Sequence, residues 1–272
     1  MSDLGHRWSK QVKPQPQPIG PLFEALSAEG YRMVEWRSPT RQGTTVPETD
    51  LLEDAQRARE IKTVSEDLGI ALAYHAPQGN LWQFGVLPFD TAVRRLRECI
   101  LRSTSIGARV MTLHLGVVVG EGRADAILNG ARVIREALPC ADDAGVALCA
   151  ENVFDDCSVA TVADCRMLFD AVDSDRLGFT LDTGHGHLCG CLHELAEDFG
   201  DRLLFTHLHD NLGVNGGAGD RHLVPGRGTI DWPRLIGCLD RAGYAGPLSF
   251  ELREDATLPE LASIWAAFST PA

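Results

Sequence analysis

The chain has 272 residues, of which 44% are hydrophobic and 23% charged, a composition suited to one large folded core and unlike that of a disordered chain. Lys and Arg number 25 against 38 Asp and Glu, a formal net charge of −13, which repels phosphodiester backbones and disfavours nucleic acid as a partner. The first thirty residues contain no apolar stretch long enough for a signal peptide or membrane span, so a cytoplasmic protein without membrane attachment is expected.

In chain order, "LGHRWS" (4–9) is available as a strand but runs into "VKPQPQPIG" (12–20), which reads as loop because proline lacks the N–H a ladder needs. Residues 1–20 are therefore expected to be irregular and the first βα unit atypical. From residue 30 onward, short apolar runs alternate with longer segments of helical period, the pattern of repeated βα units around a parallel sheet. The runs are "RMVEW", "IALAYH", "VMTLHL", "VALCAEN", "LGFTLD", "LLFTHLH" and "PLSFEL". Their near-continuous hydrophobicity suits strands covered by helices on both faces.

Between them, "PFDTAVRRLRECILRSTSIG" places Asp90 as a cap, Val93, Leu96 and Ile100 on one face, and Gly107 as a stop. Pro139 should kink or end the helix that contains it. "TVAD" from Thr161 forms a capping box with Asp in place of Glu, and Asp231 with Pro233 marks a further helix start. Seven strong units and one weak N-terminal unit favour a (β/α)8 TIM barrel, a single domain over residues 1–272, above an open doubly wound sheet. Eight cysteines (99, 140, 149, 157, 165, 189, 191 and 238) show neither a zinc spacing nor a secreted disulfide spacing and read as reduced structural thiols.

Nearly every strand ends in a metal-ligand type: His75, His114, Glu151, Asp182 followed by His185, His207 with His209, and Glu251. A single His at a strand end is commonly a hydrogen-bonded structural residue, and a lone Glu can cap the next helix. Carboxylates directly behind "VALCA" and "PLSF", however, would be half buried, and an unpaired buried charge is costly. Their convergence at one end of one barrel calls for a cation. Mixed nitrogen and oxygen donors suit Mn, Zn, Fe, Co or Mg rather than a thiolate-seeking metal. No nucleotide cofactor is called for.

The ordered motifs "AEN", "LDTGH", "HLHDN", "DRHLVPGRGTIDW" and "SFEL" resemble the xylose isomerase-like barrel superfamily, over about residues 30–255. Resemblance to its sugar isomerase and epimerase branch implies one divalent metal on Glu151, Asp182, His207 and Glu251. It also implies that the two glutamates are the acid/base pair, with His185 on a substrate oxygen. Resemblance to its endonuclease IV branch implies three zinc ions. His75 and His114 join Glu151 at one; Asp182, His207 and Glu251 complete the second; His185, Asp220 and His222 hold the third. His209 stands beside these as a further candidate.

The expected function is a metal-dependent isomerase or epimerase of a small sugar, sugar phosphate or related hydroxycarbonyl compound, with a phosphoester metallohydrolase as the alternative. Lysine occurs only at 10, 13 and 62, which argues against a Schiff-base aldolase and departs from xylose isomerase proper. Trp36 and Trp82 are candidates to cover a sugar face, and Arg221 and Arg227 to capture an anionic group. The resemblance is also compatible with a homo-oligomer.

Overall fold

The computed structural model describes residues 7–12, 18–37, 55–77, 87–116, 122–154, 159–214 and 219–270. Eight parallel strands close into a barrel in sequence order: β1 (Trp8–Val12), β2 (Met33–Arg37), β3 (Ala71–His75), β4 (Val110–Leu113), β5 (Ala147–Glu151), β6 (Leu177–Asp182), β7 (Leu203–Leu208) and β8 (Leu248–Phe250). Closure is made by β1 against β8, with Trp8 opposite Leu248 and Lys10 opposite Phe250. Closure rules out the open sheet.

The helices are α1 (Ile19–Glu29), α2 (Ala55–Asp67), α3 (Phe89–Ser105), α4 (Arg123–Ala144), α5 (Val162–Val172), α6 (Thr183–Leu188), α7 (Leu192–Asp198), α8 (Trp232–Arg241) and α9 (Leu258–Phe268). The main core lies between them and the outer face of the barrel. Phe23 of α1 packs on Trp36, Trp8 stacks on Phe250, and Trp232 packs on Trp265.

Among the described residues of 1–20, the expected irregularity is corrected at 8–12 and from 19 onward. The first strand is Trp8–Val12, and α1 begins at Ile19 behind Pro18. Trp8 supplies the reason: its ring is buried against Phe250 and Trp265, so tertiary packing stabilises a short strand that its own sequence signals only weakly. Asp90 is not the cap of α3, because Pro88 takes that position and Asp90 sits in the first turn. Pro139 does not end its helix, and α4 runs on to Ala144. Its side chain is exposed while Ala137, Leu138 and Ala141 are buried, so water can satisfy the freed carbonyl as the packed face holds the helix together. The box at Thr161 and Asp164, the start at Asp231 and the buried stripe Val93, Leu96 and Ile100 form as expected.

Candidate metal centre

His75, Glu151 and Asp182 are the last residues of their strands, His207 is the last but one of β7, and His114, His209 and Glu251 directly follow theirs. In a closed parallel barrel these positions share one face, and all seven side chains are buried. His207 Nδ1 is surrounded by Glu151 Oε1 at 3.1 Å, Glu251 Oε2 at 3.4 Å and Asp182 Oδ2 at 3.7 Å. One donor atom from each of these four residues lies within 4.8 Å of the others. The same spacing holds for His75, Glu151 and His207, and for His185, His209, Asp220 and His222.

The donor set fits a divalent cation on chemical grounds. Five acids, Glu35, Glu151, Asp182, Asp220 and Glu251, stand in this region. Among the described residues the only Lys or Arg side chains within 4 Å of them are Arg37, on Glu251 at 3.1 Å, and Arg253, on Asp220 at 3.7 Å. The remaining negative charge falls to imidazoles or a metal to balance. His75 Nε2 and His209 Nδ1 are buried without a hydrogen-bond partner among the described residues, although His75 Nε2 lies 3.3 Å from Glu151 Oε2. A buried imidazole nitrogen left unpartnered beside a carboxylate is unfavourable unless a proton or cation serves both.

Electrostatics runs the same way. Burial alone would lower the pKa of His207, but the Glu35 and Glu151 carboxylates raise it well above the usual imidazole range. Burial is likewise overcome at His185 by Asp182 and Asp220, and at His222 by Asp220 and Glu251. At His114 burial prevails and lowers it. Burial would raise Glu151 and Glu251, but facing imidazoles, with Arg37 beside Glu251, hold both carboxyls below the ordinary range. Asp220 is also held low, against burial, by His185 and His222.

Local structure fixes these groups. Asp182 caps α6, its Oδ1 accepting from His185 N at 2.7 Å. Asn152 brackets its backbone, with Nδ2 donating to Asp182 O at 2.9 Å and Oδ1 accepting from Asp182 N at 2.8 Å. His209 Nε2 donates to Asp182 at 3.0 Å, and its ring lies parallel to His222, centroids 4.0 Å apart. His222 adopts φ 49°, a left-handed conformation rare outside glycine. Its Nδ1 donates to Glu251 O at 2.9 Å.

Asp210 organises the loop that carries Asp220 and His222. Its carboxylate accepts from Asn211 N at 2.9 Å, Gly226 N at 2.8 Å, Ile230 N at 3.2 Å and Trp232 Nε1 at 2.8 Å. A Cβ on Gly228 would stand 2.2 Å from Asp210 Oδ1, so that glycine is required by close approach. Asn211 Nδ2 then donates to Asp220 Oδ1 at 3.0 Å. Much of the "HDN" and "PGRGTIDW" signature is thus loop architecture.

Of the sequence candidates, Glu151, Asp182, His207 and Glu251 come together, with His75 and His114 against Glu151, His185 reaching both Glu151 and Asp182, and His209, Asp220 and His222 grouped with His185. Trp36 does not reach the site. It is fully buried against Phe23 because strand residues alternate, and Glu35 and Arg37 take the inward positions. Arg227 is exposed and paired with Glu254 and Glu260. The Arg221 side chain is exposed, and its backbone N–H donates to Asn211 Oδ1 at 2.6 Å. Trp82 and Cys157 lie outside the described residues; the other seven cysteines are free. Sequence reasoning missed Glu35, Arg37 and Gln11. The available signal was a carboxylate in the middle of the apolar run "RMVEW".

No described helix is long and apolar enough to cross a membrane. Residues 23–267 match the family described as xylose isomerase-like TIM barrel. A probable endonuclease 4 of Listeria welshimeri is 29% identical over 161 residues, 54% of this chain and 53% of that protein. The chain spans less than two thirds of the length of the curated relatives first matched. Among solved structures, a D-tagatose 3-epimerase-like protein superposes with a TM-score of 0.78 at 18% identity, covering 96% of both chains. An IOLI protein with a bound zinc atom superposes at 0.70 and 17% identity, covering 97% of this chain and 96% of that one. A family match across most of the chain, on a closed eight-stranded barrel, makes this protein a member of the xylose isomerase-like TIM barrel family.

Proposed function

We propose that this protein is a divalent-metal-dependent isomerase or epimerase acting on a small sugar, sugar phosphate or related hydroxycarbonyl compound. The observation that carries this reading is the convergence of Glu151, Asp182, His207 and Glu251, with His207 Nδ1 among three carboxylates. These four residues would hold the ion. When bound there, a divalent cation supplies Lewis acidity, drawing electron density from a carbonyl and its neighbouring hydroxyl so that the adjacent C–H becomes acidic.

The chain's own groups do the rest. Glu251, kept ionised beside His207 and Arg37, takes the proton from the substrate carbon; Glu151, loaded with a proton from solvent beforehand, delivers it at the opposite face or the adjacent carbon, and exchange with solvent afterwards restores both carboxyls. His185, anchored through Nδ1 on Asn152 O at 3.1 Å, directs its Nε2 toward a substrate oxygen. Structural neighbours solved as an L-ribulose 3-epimerase and a D-psicose 3-epimerase support a carbohydrate-like substrate.

The test is proton exchange in heavy water across a panel of ketoses, aldoses and their phosphates. Uptake of deuterium at carbon is expected with a turned-over substrate, and Glu251→Gln should retain the fold while turnover falls by orders of magnitude. Nearly unchanged turnover in that variant would remove the glutamate pair.

A second reading, a multinuclear metallohydrolase of a phosphate ester, has its own observation: the further donor groups His75, Glu151 and His207, and His185, Asp220 and His222. It predicts phosphoester cleavage without deuterium uptake and near-complete loss of activity in His222→Ala, whereas a single-metal isomerase loses only part.

A further inference from the structure

Glu35 is fully buried inside the barrel on β2, a strand that supplies none of the donors grouped above. Its Oε2 accepts from His207 Nε2 at 2.9 Å and from Gln11 Nε2 at 2.9 Å. Gln11 is its register neighbour on β1. Gln11 Oε1 accepts from Arg37 Nη1 at 3.3 Å, and the same nitrogen donates to Glu251 Oε1 at 3.1 Å. A hydrogen-bonded chain therefore runs from His207 through Glu35, Gln11 and Arg37 to Glu251. It begins and ends on two of the four residues assigned to the ion.

We propose that Glu35 is a positioning residue for His207. By accepting the proton on Nε2 it fixes the tautomer that leaves the lone pair on Nδ1, the nitrogen facing Glu151, Asp182 and Glu251. An imidazole can present either nitrogen, and the choice is set by what the other one bonds to. Packing fixes only the ring plane: His75 stacks on His207 at 5.6 Å and Phe205 meets it edge-on at 5.8 Å. Neither contact distinguishes the protonated nitrogen from the bare one. Glu35 does, by charge and position.

The structural cost at Glu35 supports a role beyond packing. Its Oε1 is buried without a hydrogen-bond partner among the described residues, and a carboxylate buried in that condition is unfavourable for folding. Gln11 secures the bonded oxygen, so the first two strands hold His207 through Nε2, the nitrogen other than the one that faces the three carboxylates. The N-terminal strand, weakest in the sequence, is thereby tied to the centre of the site.

This inference rests on the metal reading above, and the test separates the two. Metal-free full-length protein, wild type and Glu35→Gln, is titrated with Co2+, following visible absorption and competition with a chelator. Glu35→Gln keeps the side-chain shape but removes the charge. It is expected to bind Co2+ roughly 10- to 100-fold more weakly, with an altered cobalt band. Glu35→Leu, which cannot accept the proton at all, should bind more weakly still; if it fails to fold by circular dichroism, Glu35→Gln decides alone. Equal affinity and an identical spectrum in Glu35→Gln overturn the positioning role. A wild type that takes up no Co2+ overturns the metal reading itself, and the positioning role with it.

Discussion

Gly184 has no room for a methyl group. A Cβ built there would stand 2.0 Å from His209 Cε1 and 2.5 Å from Asn211 Nδ2, so Gly184→Ala must displace the ring that donates to Asp182 and the amide that holds Asp220. Overpacking of this kind costs about 1–3 kcal/mol, which denaturant unfolding should show, together with weakened ion binding in calorimetry. Wild-type stability and affinity would mean that His209 can move without consequence. At this scale the sequence was legible where a ligand type closes an apolar run, as at His75, Glu151 and Asp182. Glu35 escaped that rule because it lies two residues inside its strand. Its period-two position between outward Val34 and Trp36 was the usable signal, and the same alternation explains why Trp36 faces α1.

The loop from β7 to α8 illustrates how an element combines structural and functional residues in one motif. Asp210 gathers three backbone N–H groups and the Trp232 indole on its carboxylate, while Asn211 passes that order to Asp220. Asp210→Asn would replace one acceptor oxygen with an NH2 facing donors, leaving buried groups unpaired at about 1–3 kcal/mol each. A loss of about 3 kcal/mol in denaturant unfolding is expected. An ion at His185, Asp220 and His222, which the metallohydrolase reading requires, should then bind more weakly, while binding at Glu151, Asp182, His207 and Glu251 changes less. Equal weakening at both groups would show that the loop is not their point of difference. Capping chemistry at Thr161 and Asp231 was readable because it is local. The first strand and the continuity of α4 were not, because Trp8 and Pro139 are accommodated by partners or solvent that the local sequence does not specify.

Across the whole molecule, seven apolar runs made the barrel legible, since a repeated βα pattern with helices on both faces has few ways to close. What closes it, the pairing of β1 with β8, is a contact between the two ends of the chain and lies beyond any local pattern. The same long-range assembly concentrates negative charge, in a chain of net charge −13, on one interior face where five acids meet few cations. Folding therefore works against repulsion and desolvation at the site, and a divalent cation that binds only the folded barrel offsets both. At a free-ion concentration about 100 times Kd, linkage adds about 2.7 kcal/mol. With roughly 2 °C per kcal/mol for a domain of this size, Tm should rise by about 5 °C. Scanning calorimetry of chelator-treated protein, with Mn2+, Zn2+, Co2+ or Mg2+ restored in turn, measures the shift and ranks the ions. Glu251→Gln should show a smaller rise, because it removes one ligand charge while relieving some of the repulsion in the metal-free protein. A Tm that ignores all four ions would leave the buried acids balanced by their imidazoles alone and would withdraw the divalent centre from this barrel.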